Sequence, residues 1–214
     1  IKIINSNVKE FEIIVIDDGS SDDTGKIAKK SGARVISHLQ CTGYGRSLKD
    51  GIVAAKNDTI VITDADGTYP IDRIPDILTE YAKGYDMVVG KRTGKHHRES
   101  ALKSPLRLVL KFLVEFTTGM KVPDVNSGLR IFSRKTIMSY FNQLCDTFSF
   151  TTSLTLAYLI ERKYVTYVPI DYHARIGKTH VRLFVDTLRT LQYIIQAAVY
   201  FNPIKLFLTL SFTA

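Results

Sequence analysis

The stretch Ile60-Val-Ile-Thr-Asp-Ala-Asp-Gly-Thr-Tyr-Pro70 is the point from which the rest of the chain can be read. Its first four residues favour a buried extended strand, and the run then meets two carboxylates one residue apart, a glycine and a closing proline. In an open α/β sheet such a strand delivers its carboxyl end to the ligand crevice. Asp64 and Asp66 are therefore candidates to hold Mg²⁺ or Mn²⁺, with coordination positions left for a diphosphate. An acidic turn without a ligand explains the same residues, since aspartate is a common turn former.

Upstream, residues 12–16 read as a strand running into Asp17-Asp18-Gly-Ser-Ser-Asp-Asp-Thr24. Ser20 or Ser21 is expected to cap the following helix, which should carry Ile27 and Ala28 inward. Residues 34–37 read as a second strand, and residues 38–45 as a loop containing Gly43 and Gly45. A helix presenting Leu48, Ile52 and Val53 follows. Downstream of the aspartates, a helix from about Asp72 places Ile74, Ile77, Leu78 and Tyr81 on one face, and residues 86–90 form another strand. Short apolar strands alternating with helices predict an α/β fold: a Rossmann-like, mostly parallel sheet flanked by helices.

The second half differs in character. Residues 91–98 are strongly basic, 103–118 read as a helix rich in Leu, Val and Phe, and 122–133 as a polar turn entering a strand. A largely buried helix over 148–162 and a strand over 164–172 lead to a Gly-containing loop with Arg175, Lys178 and His180. An amphipathic helix over 181–201 and an apolar tail close the chain, so residues 1–180 are taken as one domain and 181–214 as a juxtamembrane helix and the start of a spanning segment. At the other end, Ile1-Lys-Ile-Ile4 reads as the end of a helix, with no signal peptide.

With 214 residues, 45% hydrophobic and 23% charged, the composition is that of a globular domain and excludes wholesale disorder. The formal net charge of +8 asks for an anionic partner. No nucleic-acid module or aromatic-basic interleaving is present, which leaves phosphorylated substrates and an anionic membrane surface. Cys41 and Cys145 lie far apart without ligand spacing, so neither a zinc site nor a disulfide framework is indicated, and a reducing compartment follows.

Asp17 and Asp18, ending a strand of the same sheet, are placed to accept hydrogen bonds from a ribose or base, with Gly43 in the neighbouring loop also assigned to the donor site. Arg175, Lys178 and His180 are suited to meet a diphosphate, although a solvated basic turn is the simpler account of them alone.

Four ordered motifs, Ile-Val-Ile-Asp-Asp-Gly-Ser-Ser-Asp-Asp-Thr24, Asp-Ala-Asp-Gly-Thr-Tyr-Pro70, Asn-Ser-Gly-Leu-Arg130 and Arg-Ile-Gly-Lys-Thr-His180, resemble the family 2 glycosyltransferases of GT-A fold. Within that family the chain is most similar to the polyprenyl-phosphate glycosyltransferases, the group that includes dolichol-phosphate mannose synthase. The resemblance implies transfer from a UDP- or GDP-sugar to a dolichyl or undecaprenyl phosphate at the cytoplasmic membrane face, with inversion and a divalent metal on Asp64 and Asp66. It also implies that Asp17 and Asp18 contact the nucleotide, that Asp124 lies near the acceptor phosphate, and that Arg130 and residues 175–180 contact phosphates. Asp124, Asp66 and Arg130 are thus the expected catalytic set. Homo-oligomerisation is left open.

Three departures stand out. The family begins with a strand carrying a Pro-x-x-Asn-Glu motif that nothing before Glu10 supplies, Thr68 stands where a glutamine is usual, and His180 where a lysine is common. Two alternatives follow. The Asp64 to Thr68 run also matches the nucleophile motif of haloacid-dehalogenase-type phosphohydrolases, and the missing strand is compatible with a non-catalytic membrane-anchored domain.

Overall fold

Runs rich in β-branched and aliphatic residues form the strands β1 (Ile14–Asp17), β2 (Arg34–Ser37), β3 (Thr59–Ile62), β4 (Met87–Thr93), β5 (Arg130–Ser133) and β6 (Val165–Asp171). Helices α1 (Thr24–Lys30), α2 (Tyr44–Ala54), α3 (Ile74–Tyr81), α4 (Ser104–Thr118), α5 (Arg134–Met138), α6 (Phe150–Ile160) and α7 (Leu183–Phe201) complete the element order. The computed structural model describes residues 10–94, 104–174 and 183–201 together with Pro203 and Ser211. Expectations for residues 1–9, for Lys95 to Arg98, and for Arg175, Lys178 and His180 lie outside the described residues.

β1 and β2 pair in parallel, and a second sheet has the order β3-β5-β4-β6. In that sheet β3, β4 and β6 point the same way, while β5 runs antiparallel to both of its neighbours. The mostly parallel expectation holds with this one reversed strand. The reversal matters for function, because it pairs Arg130, at the start of β5, with Ile62 at the end of β3 and with Val89 of β4. The turn entering β5 is thereby delivered to the carboxyl ends of the parallel strands.

Successive β5 residues face opposite sides of the sheet. Phe132 packs with Ile52, Ile60, Ile62, Phe150 and Leu154 under α2 and α6, whereas Ile131 packs with Ile74, Ile77, Val88 and Ile170 under α3. Each fully buried side chain of this size is worth about 1.5–3 kcal/mol, so the sheet is held from both faces. Helix α6 is buried from Phe150 to Leu159, as an all-round apolar and hydroxyl sequence requires.

Between β1 and β3 lies a groove of about 600 Å³, lined by Ile14 and Ile16 on one side, Ile60 and Ile62 on the other, and Leu48 and Ile52 of α2 along one wall.

Three local expectations are corrected. Ile27 is 62% exposed and α1 buries no residue, because a two-stranded edge offers that helix little to pack against. The N-cap of α1 is Asp23, without a side-chain cap hydrogen bond, rather than Ser20 or Ser21, and the preceding Asp22 carboxylate accepts from Thr24 N–H and Thr24 Oγ1. Val53 is likewise exposed, with Ile52 alone of that pair reaching the core.

α4 and α7 pack on α6 through Val114, Leu156, Leu159 and Ile194. The amphipathic expectation for α7 therefore splits into two faces. Thr190 and Ile194 are buried, while Leu188, Ile195 and Val199 are exposed, as are Leu108, Val109 and Phe112 of α4. Among the described residues no helix is long and apolar enough to cross a membrane.

Candidate active site

β3 ends at Ile62, and the chain turns over Asp64 to Pro70 with Gly67 at φ +74°, a conformation that suits glycine. Thr68, fully buried, donates to Asp66 Oδ1 from its hydroxyl and from its backbone N–H (3.1 Å). Asp64 Oδ1 accepts from Tyr44 Oη at 3.0 Å. Tyr44 opens α2, and burial together with the Asp64 charge pushes its phenol well above the ordinary range, so it remains a donor. Both carboxylates are half-buried.

The turn entering β5 presses on this pair. Gly128 N–H donates to Tyr69 Oη at 2.6 Å, and a Cβ on Gly128 would lie 3.0 Å from Asp64 Oδ1. Any other residue there would crowd the carboxylate. Ser127, also buried, donates to Gly90 O and closes the turn against β4.

Asp124 and Arg130, expected from the resemblance to lie near phosphates, belong to that same turn and are both engaged by protein groups. Asp124 is 6% exposed and receives Arg92 through Nε (2.9 Å), Nη2 (2.8 Å) and the backbone N–H (3.1 Å). Burial alone would lower the Arg92 pKa, but the Asp124 carboxylate outweighs it and raises it above the ordinary value. Arg130 is fully buried and donates to Ser127 O (2.7 Å), Val125 O (2.6 Å) and Thr155 Oγ1 (2.7 Å), and its burial pushes its pKa down. These guanidinium contacts make Arg130 the brace of the turn. Arg92, read from sequence only as part of a strongly basic stretch, is spent on Asp124 and lies over the Tyr172 ring.

Asp17 and Asp18 end β1, and the two differ. Asp17 Oδ1 accepts from Ser20 N–H at 3.1 Å. Asp18 is encircled: His38 Nδ1 (2.7 Å), Thr42 N–H (2.8 Å) and Thr42 Oγ1 (2.7 Å) reach Oδ1, and Gly43 N–H (2.9 Å) reaches Oδ2. Burial alone would raise its pKa, but the His38, Thr42 and Gly43 hydrogen bonds prevail and hold it well below the usual carboxylate range. Gly43, at φ +111°, is thus fastened to Asp18 by its amide.

Downstream, His173 N–H donates to Thr68 O at 2.9 Å, so the backbone that leads into residues 175–180 is tied to the aspartate turn. Sequence reasoning missed Tyr44, Tyr69, His38 and Arg92. Tyr44 adjoins the assigned Gly43, and Tyr69 lies within the quoted Asp64 to Pro70 motif, which are the signals that could have singled them out.

Among the described residues no group of three or more His, Cys, Asp or Glu side chains forms a ready cage for a metal. Two hard, half-buried carboxylates, each oriented through one oxygen by a hydroxyl, fit a Mg²⁺- or Mn²⁺-type site that completes its shell with substrate oxygens and water.

Acidic groups at the ends of β1 and β3, in an α/β architecture, sit where such sheets bind their ligands. Residues 2–141 match the family described as glycosyl transferase family 2, and the chain belongs to that family. A dolichyl-phosphate hexose transferase of Haloferax volcanii is 30% identical over 172 residues, covering 80% of this chain and 74% of that protein. An undecaprenyl-phosphate 4-deoxy-4-formamido-L-arabinose transferase of Klebsiella pneumoniae is 29% identical over 140 residues, covering 63% of this chain and 42% of its own length. Among solved structures, glucosyl-3-phosphoglycerate synthase of Mycobacterium tuberculosis in complex with Mn²⁺, UDP-glucose and phosphoglyceric acid shares the fold, with a TM-score of 0.74 at 21% identity over 92% of this chain and 72% of that one. Family membership removes the phosphohydrolase alternative.

Proposed function

We propose that this chain transfers a sugar, with inversion, from a nucleotide diphosphate sugar to a polyprenyl phosphate at the cytoplasmic surface of a membrane. The observation that carries the reading is the packing of the Asp124 to Arg130 turn, through Gly128, directly on the Asp64 carboxylate. Donor and acceptor sides of one reaction need such a meeting point. The names of the Haloferax and Klebsiella relatives support a polyprenyl-phosphate acceptor.

A divalent cation held by Asp64 and Asp66 would neutralise the charge that develops on the leaving diphosphate. Tyr44 and Thr68 orient those carboxylates before substrate arrives. Asp17, with the Asp18-anchored loop beside it, forms the wall for the nucleotide, and Arg175, Lys178 and His180 complete charge neutralisation. The acceptor phosphate is already anionic near neutral pH, so positioning replaces a strong general base. Asp124 contributes by fixing Arg92, and Arg130 by bracing the turn. The exposed Leu108, Val109 and Phe112 of α4 and Leu188, Ile195 and Val199 of α7 supply an apolar surface for an anionic leaflet.

The deciding experiment incubates the protein with radiolabelled UDP- and GDP-sugars, polyprenyl phosphate in detergent, and Mn²⁺. Label extractable into organic solvent and abolished by EDTA is the expected result. Nucleotide binding without lipid-linked product across the donors would overturn the transfer reading in favour of a binding domain.

A further inference from the structure

We infer that Phe148 is a specificity-determining residue for the acceptor, meeting the apolar isoprenyl units that adjoin the reacting phosphate. The assignment rests on the lipid-phosphate acceptor proposed above and gives that lipid a named contact at the rim of the aspartate pair.

Of the aromatic side chains exposed among the described residues, Phe148 is the one that packs on a residue of this site. Its ring, 42% exposed, lies against Tyr44 with centroids 6.2 Å apart and planes at 45°. Tyr44 Oη is in turn the donor 3.0 Å from Asp64 Oδ1. On its other side Phe148 leads into the first turn of α6, where Thr152 Oγ1 donates to Asn126 Oδ1 in the turn entering β5. Phe148 is thus tied to both turns of the site, through Tyr44 to the aspartates and through α6 to the turn expected near the acceptor phosphate.

Its exposure is not that of a loose loop. Cys145, Ser149 and Phe150 are buried, and the segment is pinned by Cys145 N–H to Ser153 Oγ (3.1 Å), Thr147 N–H to Cys145 Sγ (3.3 Å) and Phe150 N–H to Thr147 O (3.2 Å). Asp146 O also accepts Arg46 N–H of α2 at 2.8 Å, and Ser149 Oγ pairs with Thr190 Oγ1 of α7 at 2.6 Å. An aromatic ring held in water on a fixed backbone offers an apolar contact at little ordering cost. A bare phosphate gains nothing from that ring, whereas an isoprenyl chain leaving the phosphate buries apolar area against it. The charged groups can therefore take the phosphate while Phe148 selects for the tail. Through Ser149 and Thr190 the same segment joins α7, the helix that carries exposed Leu188, Ile195 and Val199.

The test uses farnesyl phosphate, a soluble isoprenyl phosphate, as acceptor for wild type, Phe148→Ala and Phe148→Leu, with acceptor KM, donor KM and Mn²⁺ affinity followed separately. Phe148→Ala should raise acceptor KM roughly tenfold, the worth of burying part of one aromatic ring, with donor KM and Mn²⁺ affinity within about twofold of wild type. Phe148→Leu should recover part of the loss. An unchanged acceptor KM overturns the inference. So does a donor KM or Mn²⁺ affinity that moves as far as the acceptor KM, because the ring would then serve only to support Tyr44. A second readout needs no turnover: the chain contains no tryptophan, so Phe148→Trp places a single reporter at the rim. Its emission should shift to the blue and saturate with farnesyl phosphate, but not with inorganic phosphate or with farnesol at the same concentration. No shift with farnesyl phosphate, or an equal one with farnesol, overturns the inference. If wild type forms no lipid-linked product from any donor, the transfer reading fails, and the emission arm still decides whether Phe148 meets an isoprenyl phosphate.

Discussion

The Asp64 to Thr68 turn and the Asp124 to Arg130 turn meet at Gly128, yet their polar groups are managed in opposite ways. Asp64 and Asp66 are half-buried, each steered by a hydroxyl, Tyr44 for one and Thr68 for the other. Asp124 and Arg130 are buried, with the carboxylate gripped by the Arg92 fork and the guanidinium spent on Ser127 O, Val125 O and Thr155 Oγ1. On the proposed reading, the first turn serves the chemistry and the second supports it.

The largest effect that would break this contrast is on activity at the first turn. Asp66→Asn should lower metal-dependent sugar transfer by roughly a thousandfold, since the cation supplies several kcal/mol of transition-state stabilisation, while leaving the melting temperature within about 2 °C of wild type. Transfer assays paired with thermal melts read both. Asp124→Ala should do the reverse, costing about 3–5 kcal/mol in chemical denaturation because the Arg92 guanidinium is left buried without its counter-ion. A stable Asp124→Ala protein that lost only turnover would return Asp124 to a direct role in the chemistry.

Smaller effects sharpen the contrast. Arg130→Met should cost about 2–3 kcal/mol, the penalty for orphaning the carbonyls of Ser127 and Val125, with urea unfolding as the measure. Tyr44→Phe removes one neutral hydrogen bond to Asp64 and should weaken Mn²⁺ binding about fivefold by electron paramagnetic resonance titration, without unfolding the chain.

Asp18 falls between the two turns, partly exposed but heavily hydrogen-bonded, and offers the mildest test. Its folded pKa is depressed, so its contribution is fully present above the unfolded value of about 3.9 and is lost as pH falls toward the folded value. The stability advantage of wild type over Asp18→Asn should therefore shrink as the pH of denaturation experiments is lowered from about 4 toward 2.

Much of this architecture was legible in the residues. Continuous apolar runs such as Met87-Val-Val read correctly as strands covered on both faces, and α6 read correctly as buried. What periodicity could not reveal was the reversal of β5, since four residues carry no sign of direction and only pairing with Ile62 and Val89 defines it. The strand-end aspartates were legible for a similar reason, their sequence position being their structural position. Arg92 and His38 were not, because their partners Asp124, Asp18 and Asp50 are distant in sequence and become neighbours only in the folded sheet. Ile27 misled for the opposite reason: its spacing fits a core face, but a two-stranded edge leaves that face open.

The backbone tie from His173 N–H to Thr68 O has a consequence for how this protein can change. It uses a carbonyl, which every residue possesses, while the orientation of Asp66 uses the Thr68 hydroxyl, which few residues possess. Position 68 can therefore change the surroundings of the aspartate pair through its side chain while the backbone link to His173 stays in place, so the two functions of one residue can vary independently.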